Sequence, residues 1–171
     1  MNVVAIIPAF NEEKTIGDVI ESTKSFVDKI IVVNDGSDDR TQQIAKSKGA
    51  YVVTHVINRG LGAAIGTGFE VALRERAAIA VTLDADGQHD PNEIQKFIDA
   101  IEQGADVVIG SRMLTRKGMP WHRQVANLLG NFVTFFLFGA WVSDSQSGFR
   151  AFSNYALEKI QIQTNRMEVS S

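Results

Sequence analysis

The sequence contains no cysteine, so it has no disulfide framework, no thiolate metal site and no cysteine nucleophile. With only 3 prolines, 22% charged and 44% hydrophobic residues, it does not resemble disordered, collagen-like or low-complexity chains. A formal net charge of −3 argues against a nucleic-acid partner. No basic stretch and no A-x-A site accompany the short apolar run at 3–7, so we expect no secretory leader and a cytoplasmic location.

Two phosphate-binding motifs are also missing. No G-x-x-x-x-G-K-[ST] occurs, which excludes P-loop chemistry. The glycines at 60–68 are spaced G-x-G-x-x-x-G and follow the third predicted strand, whereas the dinucleotide fingerprint is G-x-G-x-x-G after the first strand. We expect these small residues to let a helix pack close to the sheet or to a diphosphate.

Short β-branched runs alternate with amphipathic segments in the first 110 residues. The runs predict buried parallel strands at 3–7, 30–33, 51–53, 79–83 and 107–109. Asn11 and Ser37 are predicted caps of the first two helices, with Gly49 ending the second, and further helices are predicted over 61–76 and from Pro91 to before Gly104. This alternation predicts an α/β sandwich with a mostly parallel sheet and helices on both faces.

Beyond residue 110 the alternation is lost. We predict a helix over 123–138, an irregular loop over 143–150 and a short helix near 154–160. No internal repeat or linker-like stretch is present, so residues 1–171 are predicted to form one domain. The last residues carry no closing turn signal, and we expect the chain to be part of a longer protein.

Charge is distributed unevenly along the chain. Residues 1–110 carry 10 basic and 17 acidic side chains, whereas 111–150 carry five basic side chains and Asp144 alone. The basic segment includes the most apolar stretch, 125–138, which is too short and too polar for a comfortable transmembrane span. An interfacial helix at a membrane surface fits this pattern, the alternative being an ordinary core helix.

The strongest chemical signal is D-A-D-G-Q-H at 84–89, directly after the fourth predicted strand. Side chains two apart on a strand share a face, so Asp84, Asp86 and Gln88 can converge on one point. Two carboxylates there repel unless a cation lies between them, and hard oxygen donors favour Mg²⁺ or Mn²⁺. The alternative is an ordinary surface turn. We expect His89 to be a hydrogen-bonding residue rather than a metal ligand.

Two other strand ends carry polar residues. Asp35 follows the second predicted strand and can accept hydrogen bonds from a ribose or a base N–H, the alternative being a helix N-cap. Residues 8–12, P-A-F-N-E, are typical of a strand stop followed by a cap, and alone they do not require a ligand.

Taken together, these residues resemble a family-2 glycosyltransferase of the GT-A fold, in the branch of dolichyl-phosphate mannose synthase and related polyprenyl-phosphate glycosyltransferases. D-A-D-G-Q-H together with G-S-R and S-Q-S-G-F-R is far more specific than a bare D-x-D. Two features depart from the family: Asn34 stands where many relatives have the first Asp of D-D-G-S, and relatives continue past the end of this chain. The matching stretches are 8–13, 33–38, 58–68, 83–91, 110–112 and 144–150.

The resemblance implies a role for each part of the chain. It implies a nucleotide-sugar-binding part, 1–110, and an acceptor-side part, 111–171, within one catalytic domain. Asp86 and Arg112 are the implied catalytic residues. The implied nucleotide-binding residues are Pro8, Ala9, Glu12, Asp35 and Asp84, the implied metal ligands are Asp84, Asp86 and Gln88, and the acceptor phosphate is assigned to Arg112 and Arg123.

The activity implied is that of a hexosyltransferase similar to dolichyl-phosphate mannose or glucose synthases. It would use Mg²⁺ or Mn²⁺ to move a sugar, with inversion, from a UDP- or GDP-linked donor to a polyprenyl phosphate at the cytoplasmic face of the membrane. A lipid phosphate is already an anion and needs no proton removed by a base. Asp144 is the remaining candidate for a base, and its alternative role is to pair with Arg150. The alternatives are a sugar-hydroxyl acceptor and a non-catalytic nucleotide-binding module recruited to membranes. The sequence leaves the sugar, the base and the oligomeric state open.

Overall fold

The computed structural model describes residues 1–110 and 148–160. The helix predicted over 123–138 and most of the loop predicted over 143–150 lie outside these residues. The strands are β1 Val3–Ala9, β2 Lys29–Asn34, β3 Tyr51–Thr54, β4 Ile79–Thr82, β5 Val107–Ile109 and β6 Arg150–Ser153. The helices are α1 Ile16–Thr23, α2 Thr41–Ser47, α3 Leu61–Arg74, α4 Ile94–Glu102, which follows a 3₁₀ turn at Pro91–Glu93, and α5 Asn154–Lys159.

The six strands form one sheet in the order β3-β2-β1-β4-β6-β5. The first four in that order are parallel, and β6 is antiparallel to both β4 and β5. All seven residues of β1 are buried, because this strand is flanked by β2 and β4 and covered on both faces. The mostly parallel α/β sheet predicted from the sequence is confirmed.

Helices cover both faces of the sheet, as predicted. Along β1 the side chains of Ala5 and Ile7 belong to one apolar cluster and those of Val4 and Ile6 to the other, as strand alternation requires. Helices α1, α2 and α4 contribute to the first cluster, and α3 and α5 contribute to the second. Burial of these two clusters is the main driving force that holds the sandwich together.

Two strand predictions were wrong in their details. Val107–Ile109 is not a buried parallel strand but lies at an edge, pairs antiparallel with β6 and leaves Val107 42% exposed. Residues 51–53 form the opposite edge, with Tyr51 48% exposed. An apolar run does not distinguish an edge from a central strand. Strand β6 was missed because Arg150–Ser153 is short and directly follows loop-like residues.

The predicted caps of the first two helices were also wrong. Asn11 has φ of 56°, in the left-handed region, and α1 begins only at Ile16. Ser37 does not cap α2, which begins at Thr41. Both side chains instead connect loops at the carboxyl edge of the sheet. Gly49 does end α2 as predicted, with φ of 82° and its N–H bonded to the Lys46 carbonyl.

The two described parts of the chain meet beside β5. The Gly110 N–H donates to the Phe149 carbonyl over 2.9 Å. A Cβ at position 110 would lie 2.9 Å from Cζ of Phe97, so the backbone is tightly packed there. Residues 110 and 148 are therefore fixed close to one another at the sheet.

Helix α3 packs closely on β1 at Gly68, which predicts a measurable cost for adding one methyl group. A Cβ there would overlap Cγ2 of Ile6, which is fully buried. We expect Gly68→Ala to lower the free energy of unfolding by about 1–3 kcal/mol, although alanine favours a helix over glycine. Urea unfolding measures the change. Gly17→Ala in α1 is the control, because its Cβ would approach Ile44 Cγ2 only to 3.3 Å. A Gly68→Ala protein as stable as the wild type would contradict the packing.

Candidate functional site

Strands β1, β2 and β4 end at the same edge of the sheet, which is where open α/β folds bind ligands. Pairing between β1 and β4 stops at Ile6 and Thr82, and β1 continues beyond it along β2. Pro8 lies in this continuation, so its missing N–H removes no bond to β4. The sheet therefore presents the end of β1 beside the loop that follows β4.

Side-chain hydrogen bonds join the loop after β1 to the loop after β2. The Asn11 N–H donates to Ser37 Oγ over 3.0 Å, and the Asp38 N–H donates back to Asn11 Oδ1 over 3.0 Å. The Glu12 N–H donates to the buried Thr41 Oγ1 over 2.8 Å. These bonds fix Glu12 at the edge, where its carboxylate also accepts from Thr15 Oγ1 over 2.7 Å.

Asp35 lies at the end of β2, and its side chain is only 5% exposed. Its Oδ1 accepts the Arg59 N–H over 2.9 Å, and its Oδ2 accepts the Gly60 N–H over 2.7 Å. His55 Nδ1 lies 2.6 Å from the same Oδ1. Asp35 is therefore not the N-cap of α2. It ties the end of β2 to the residues that lead into α3.

The acidic residues lie after β4 in a turn rather than on the strand. Strand β4 ends at Thr82, so strand alternation does not place Asp84 and Asp86 on one face. Asp84 Oδ2 accepts a hydrogen bond from His89 Nε2 at 2.9 Å, and Asp86 Oδ1 accepts the Gln88 N–H at 2.9 Å. His89 thus has the hydrogen-bonding role expected of it. Gln88 is exposed to solvent.

The residues before β6 pack directly against Asp84. Thr82 Oγ1 donates to the Gly148 carbonyl over 2.8 Å, and a Cβ at position 148 would lie 2.6 Å from both Cγ and Oδ2 of Asp84. The His89 ring, whose side chain is 6% exposed, stacks on Phe149 with centroids 4.9 Å apart. Asp84 therefore lies against the backbone of residue 148, where only glycine fits.

A cleft of about 200 Å³ opens next to Asp84. Its walls are mainly apolar, and its polar side chains come from β4, β6 and the acidic turn. The lining residues are Pro8, Leu61, Ile65, Phe69, Thr82, Asp84, Gly148, Arg150, Phe152 and Ile160.

The structure brings together some of the predicted site residues. Pro8 and Asp84 line the same cleft, whereas Asp35 binds the loop at 59–60. Arg112, Arg123 and Asp144 lie outside the described residues, so the acceptor-side assignments stay predictions. Sequence reasoning left His55 unassigned and gave Gly148 no role. The S-Q-S-G-F-R motif contained the signal for Gly148, but its contact with Asp84 depends on the pairing of β6.

Residues 1–110 and 148–160 contain neither a cluster of acidic and histidine ligands nor a membrane-spanning helix. No three His, Asp or Glu side chains in this part of the chain are grouped so that they could hold a metal ion. None of its helices has the length and hydropathy needed to cross a bilayer. The predicted ligand Gln88 is an amide, and carboxylate and amide oxygens are the donors that Mg²⁺ and Mn²⁺ prefer. The chemistry of the predicted donor set therefore fits such an ion.

Comparison with known proteins gives a consistent picture. Residues 4–161 match the family described as glycosyl transferase family 2. The UDP-N-acetylglucosamine–dolichyl-phosphate N-acetylglucosaminyltransferase of Methanococcus voltae is 40% identical, over 97% of this chain and 76% of the relative. The polyprenol monophosphomannose synthase of Mycolicibacterium smegmatis is 34% identical, over 93% of this chain and 64% of the relative.

Among solved structures, the chain is similar to glucosyl-3-phosphoglycerate synthase from Mycobacterium tuberculosis in complex with Mn²⁺, UDP and glucosyl-3-phosphoglycerate. The TM-score is 0.71 with 25% identity, and the match covers 90% of this chain. The chain spans 57% of the length of that solved protein. The expected GT-A fold is confirmed by this likeness.

The lowered pKa of Asp39 predicts that the free energy of unfolding depends on pH. Desolvation raises its pKa, but hydrogen bonds from Thr41 and from the Glu13 N–H outweigh that effect and hold the pKa below its ordinary value of 3.8. A lowered folded-state pKa stabilises the fold above the ordinary value, and that stability is lost as pH falls through the lowered value. We expect Asp39→Asn to be less stable than wild type at pH 7, with the gap narrowing below pH ~4. Urea unfolding at several pH values measures this, with Asp38→Asn as the control, and a gap independent of pH would contradict it.

The close contact at Gly148 predicts that a methyl group added at this position displaces the Asp84 side chain. We expect Gly148→Ala to disturb the Asp84–His89 hydrogen bond and to destabilise the protein by about 1–3 kcal/mol, as overpacking does. If Asp84 is a metal ligand, the affinity for Mn²⁺ falls about tenfold, as when a ligand loses its support. Calorimetric titration with Mn²⁺ measures this, and Gly17→Ala again is the matched control. Unchanged Mn²⁺ affinity in a folded Gly148→Ala protein would contradict the prediction.

Proposed function

Because the chain belongs to glycosyl transferase family 2, we propose that it transfers a sugar from a nucleotide-diphospho-sugar to a polyprenyl phosphate, with inversion at the sugar carbon. The observation that carries this proposal is the D-A-D-G-Q-H turn at the edge where β1, β2 and β4 end. The names of relatives at 40% and 34% identity support the lipid phosphate as acceptor. Their sugars differ, so mannose, glucose and N-acetylglucosamine are all candidates.

The donor nucleotide is assigned to the loops after β1 and β2. Pro8 and Ala9 lie at the end of β1, Glu12 lies in the loop that follows it, and Asp35 directly follows β2 beside them. The Asp35 N–H donates to the Ala9 carbonyl over 2.9 Å, which keeps the two strand ends together. The cross-links between these loops preorganise the edge, so little ordering entropy is lost when a nucleotide binds.

Asp84, Asp86 and Gln88 would hold Mg²⁺ or Mn²⁺. When bound, the ion would supply Lewis-acid stabilisation of the charge on the departing diphosphate. His89 orients Asp84 through its hydrogen bond, and Phe149 holds the His89 ring. The protein's contribution here is to keep one carboxylate in a fixed direction beside the cleft.

On the acceptor side, Arg112 and Arg123 would bind the lipid phosphate through charge-assisted hydrogen bonds. A phosphate monoester oxygen is already anionic near neutral pH, so it attacks the sugar carbon without a general base. The bond from that carbon to the diphosphate breaks as the new bond to the lipid phosphate forms. The protein would do this while bound peripherally at the cytoplasmic face of a membrane.

A sugar or glycerate hydroxyl is the second candidate acceptor. The solved protein with TM-score 0.71 is named as a glucosyl-3-phosphoglycerate synthase. That acceptor would need a proton removed, and Asp144 is the candidate base. The third candidate function is that of a non-catalytic nucleotide-binding module.

The test is a transfer assay with radiolabelled donors and Mn²⁺. UDP-glucose, UDP-N-acetylglucosamine and GDP-mannose are each offered with a polyprenyl phosphate in detergent, with 3-phosphoglycerate or with soluble sugars. We expect label in the lipid product, and Asp86→Asn to lose about 100-fold or more in rate, which corresponds to about 2.7 kcal/mol. Asp90→Asn is the matched control, since Asp90 is an exposed acid in the same turn region.

The outcomes of this assay distinguish the three candidate functions. Label only in a soluble product supports the hydroxyl acceptor instead. Binding of a nucleoside diphosphate without any transfer supports the non-catalytic module, and a ligand at 100-fold excess over its Kd stabilises the fold by about 2.7 kcal/mol. No nucleotide binding in the presence of metal would overturn the proposed function altogether.

A further inference from the structure

A buried chain of hydrogen bonds links the end of β2 to α3. His55 follows β3 and is 8% exposed. Its Nδ1 lies 2.6 Å from Asp35 Oδ1, and its Nε2 lies 2.9 Å from Thr67 Oγ1. A neutral imidazole with its proton on Nδ1 satisfies both contacts, because it donates to the carboxylate and accepts from the hydroxyl. The proposed mechanism does not use His55.

The Asp35 carboxylate connects His55 to the backbone that leads into α3. The same carboxylate accepts the N–H groups of Arg59 and Gly60, the two residues before α3. Gly60 has φ of 92° and provides no side-chain cap for the helix, so Asp35 is the acceptor that orders the helix entry. The loop also rests on Gly36, where a Cβ would lie 2.6 Å from the Asn58 nitrogen.

We propose that His55 is a positioning residue for donor binding. The ring keeps Asp35 in the rotamer that binds the 59–60 backbone, while Thr67 fixes the far side of the ring to α3. The loop at 57–60 is thereby held beside the strand ends to which the nucleotide is assigned. This inference rests on the proposed function, since it concerns the same nucleotide site.

A purely structural role would predict something different. A buried carboxylate requires hydrogen-bond donors, so losing His55 destabilises the fold in either case. Stability alone therefore does not distinguish the two roles. Positioning predicts in addition that binding of the donor depends on which of the two ring contacts is kept.

Two amide substitutions separate these contacts. In His55→Asn the side-chain amide nitrogen reaches the position of Nδ1 and keeps the bond to Asp35, whereas in His55→Gln it reaches that of Nε2 and keeps only the contact with Thr67. We expect His55→Asn to bind UDP or GDP, with Mn²⁺, within about threefold of wild type. We expect His55→Gln to bind at least about tenfold more weakly, which is about 1.4 kcal/mol. Calorimetric titration of the 171-residue chain measures both.

Kinetics and a third variant complete the test. We expect His55→Gln to raise KM for the donor while KM for the acceptor is unchanged. Thr67→Val, which removes the hydroxyl but leaves Asp35 and His55 intact, is expected to weaken nucleotide binding by less than His55→Gln. If His55→Gln does not fold, the comparison of Thr67→Val with Thr67→Ser decides, since only the valine variant loses the bond to the ring.

The possible failures are distinguishable. A wild type that binds no nucleoside diphosphate overturns the proposed function and this inference together. A wild type that binds, with His55→Gln binding equally well, overturns the positioning role alone. Where His55→Gln does not fold, Thr67→Val binding as tightly as Thr67→Ser does the same. Equal weakening of binding in His55→Asn and His55→Gln also overturns it, because the bond to Asp35 would then not be what matters.

Discussion

Where a strand ends, the backbone N–H groups that follow it have no neighbouring strand to bond to. The candidate site depends on which acceptors bind these N–H groups instead. At the ends of β1 and β2 the acceptors are side chains: Asp35 for the residues before α3, Asp39 and Thr41 for the loop after β1. Amides that are buried must find partners. Three loops that are distant in sequence are therefore held as one rigid edge, which is the property that a nucleotide site requires.

Much of the fold could be predicted from the sequence, because it depends on periodicity and burial. Four parallel strands, helices on both faces and the 3₁₀ turn at Pro91 that leads into α4 follow from apolar runs and from local propensity. Edge position, antiparallel pairing and β6 could not be predicted, because they depend on partners distant in sequence. The Asn11 and Ser37 caps failed for a related reason: their side chains bond to each other's loops rather than to their own helices.

The candidate site, like the fold, could be predicted from the sequence only in part. The family could be recognised from D-A-D-G-Q-H and its companion motifs, and the family match over 4–161 confirms it. The role of the acidic turn stays a prediction. The strand-alternation argument for this turn was wrong, because β4 ends before it and a turn sets the directions of Asp84 and Asp86. The parts that could not be predicted are contacts across the sheet, such as Gly148 against Asp84 and His55 against Asp35. Roles assigned to Arg112 and Arg123 stay predictions.

The hydrogen bond between Gly110 and Phe149 has a consequence for how such chains diversify. It fixes the residue after β5 within hydrogen-bond distance of the residue before β6. When the two ends of a segment are fixed in this way, lengthening the segment costs little entropy, since each doubling adds only about 0.6 kcal/mol. Insertions between these two residues are therefore expected to leave the pairing of β4, β5 and β6 intact.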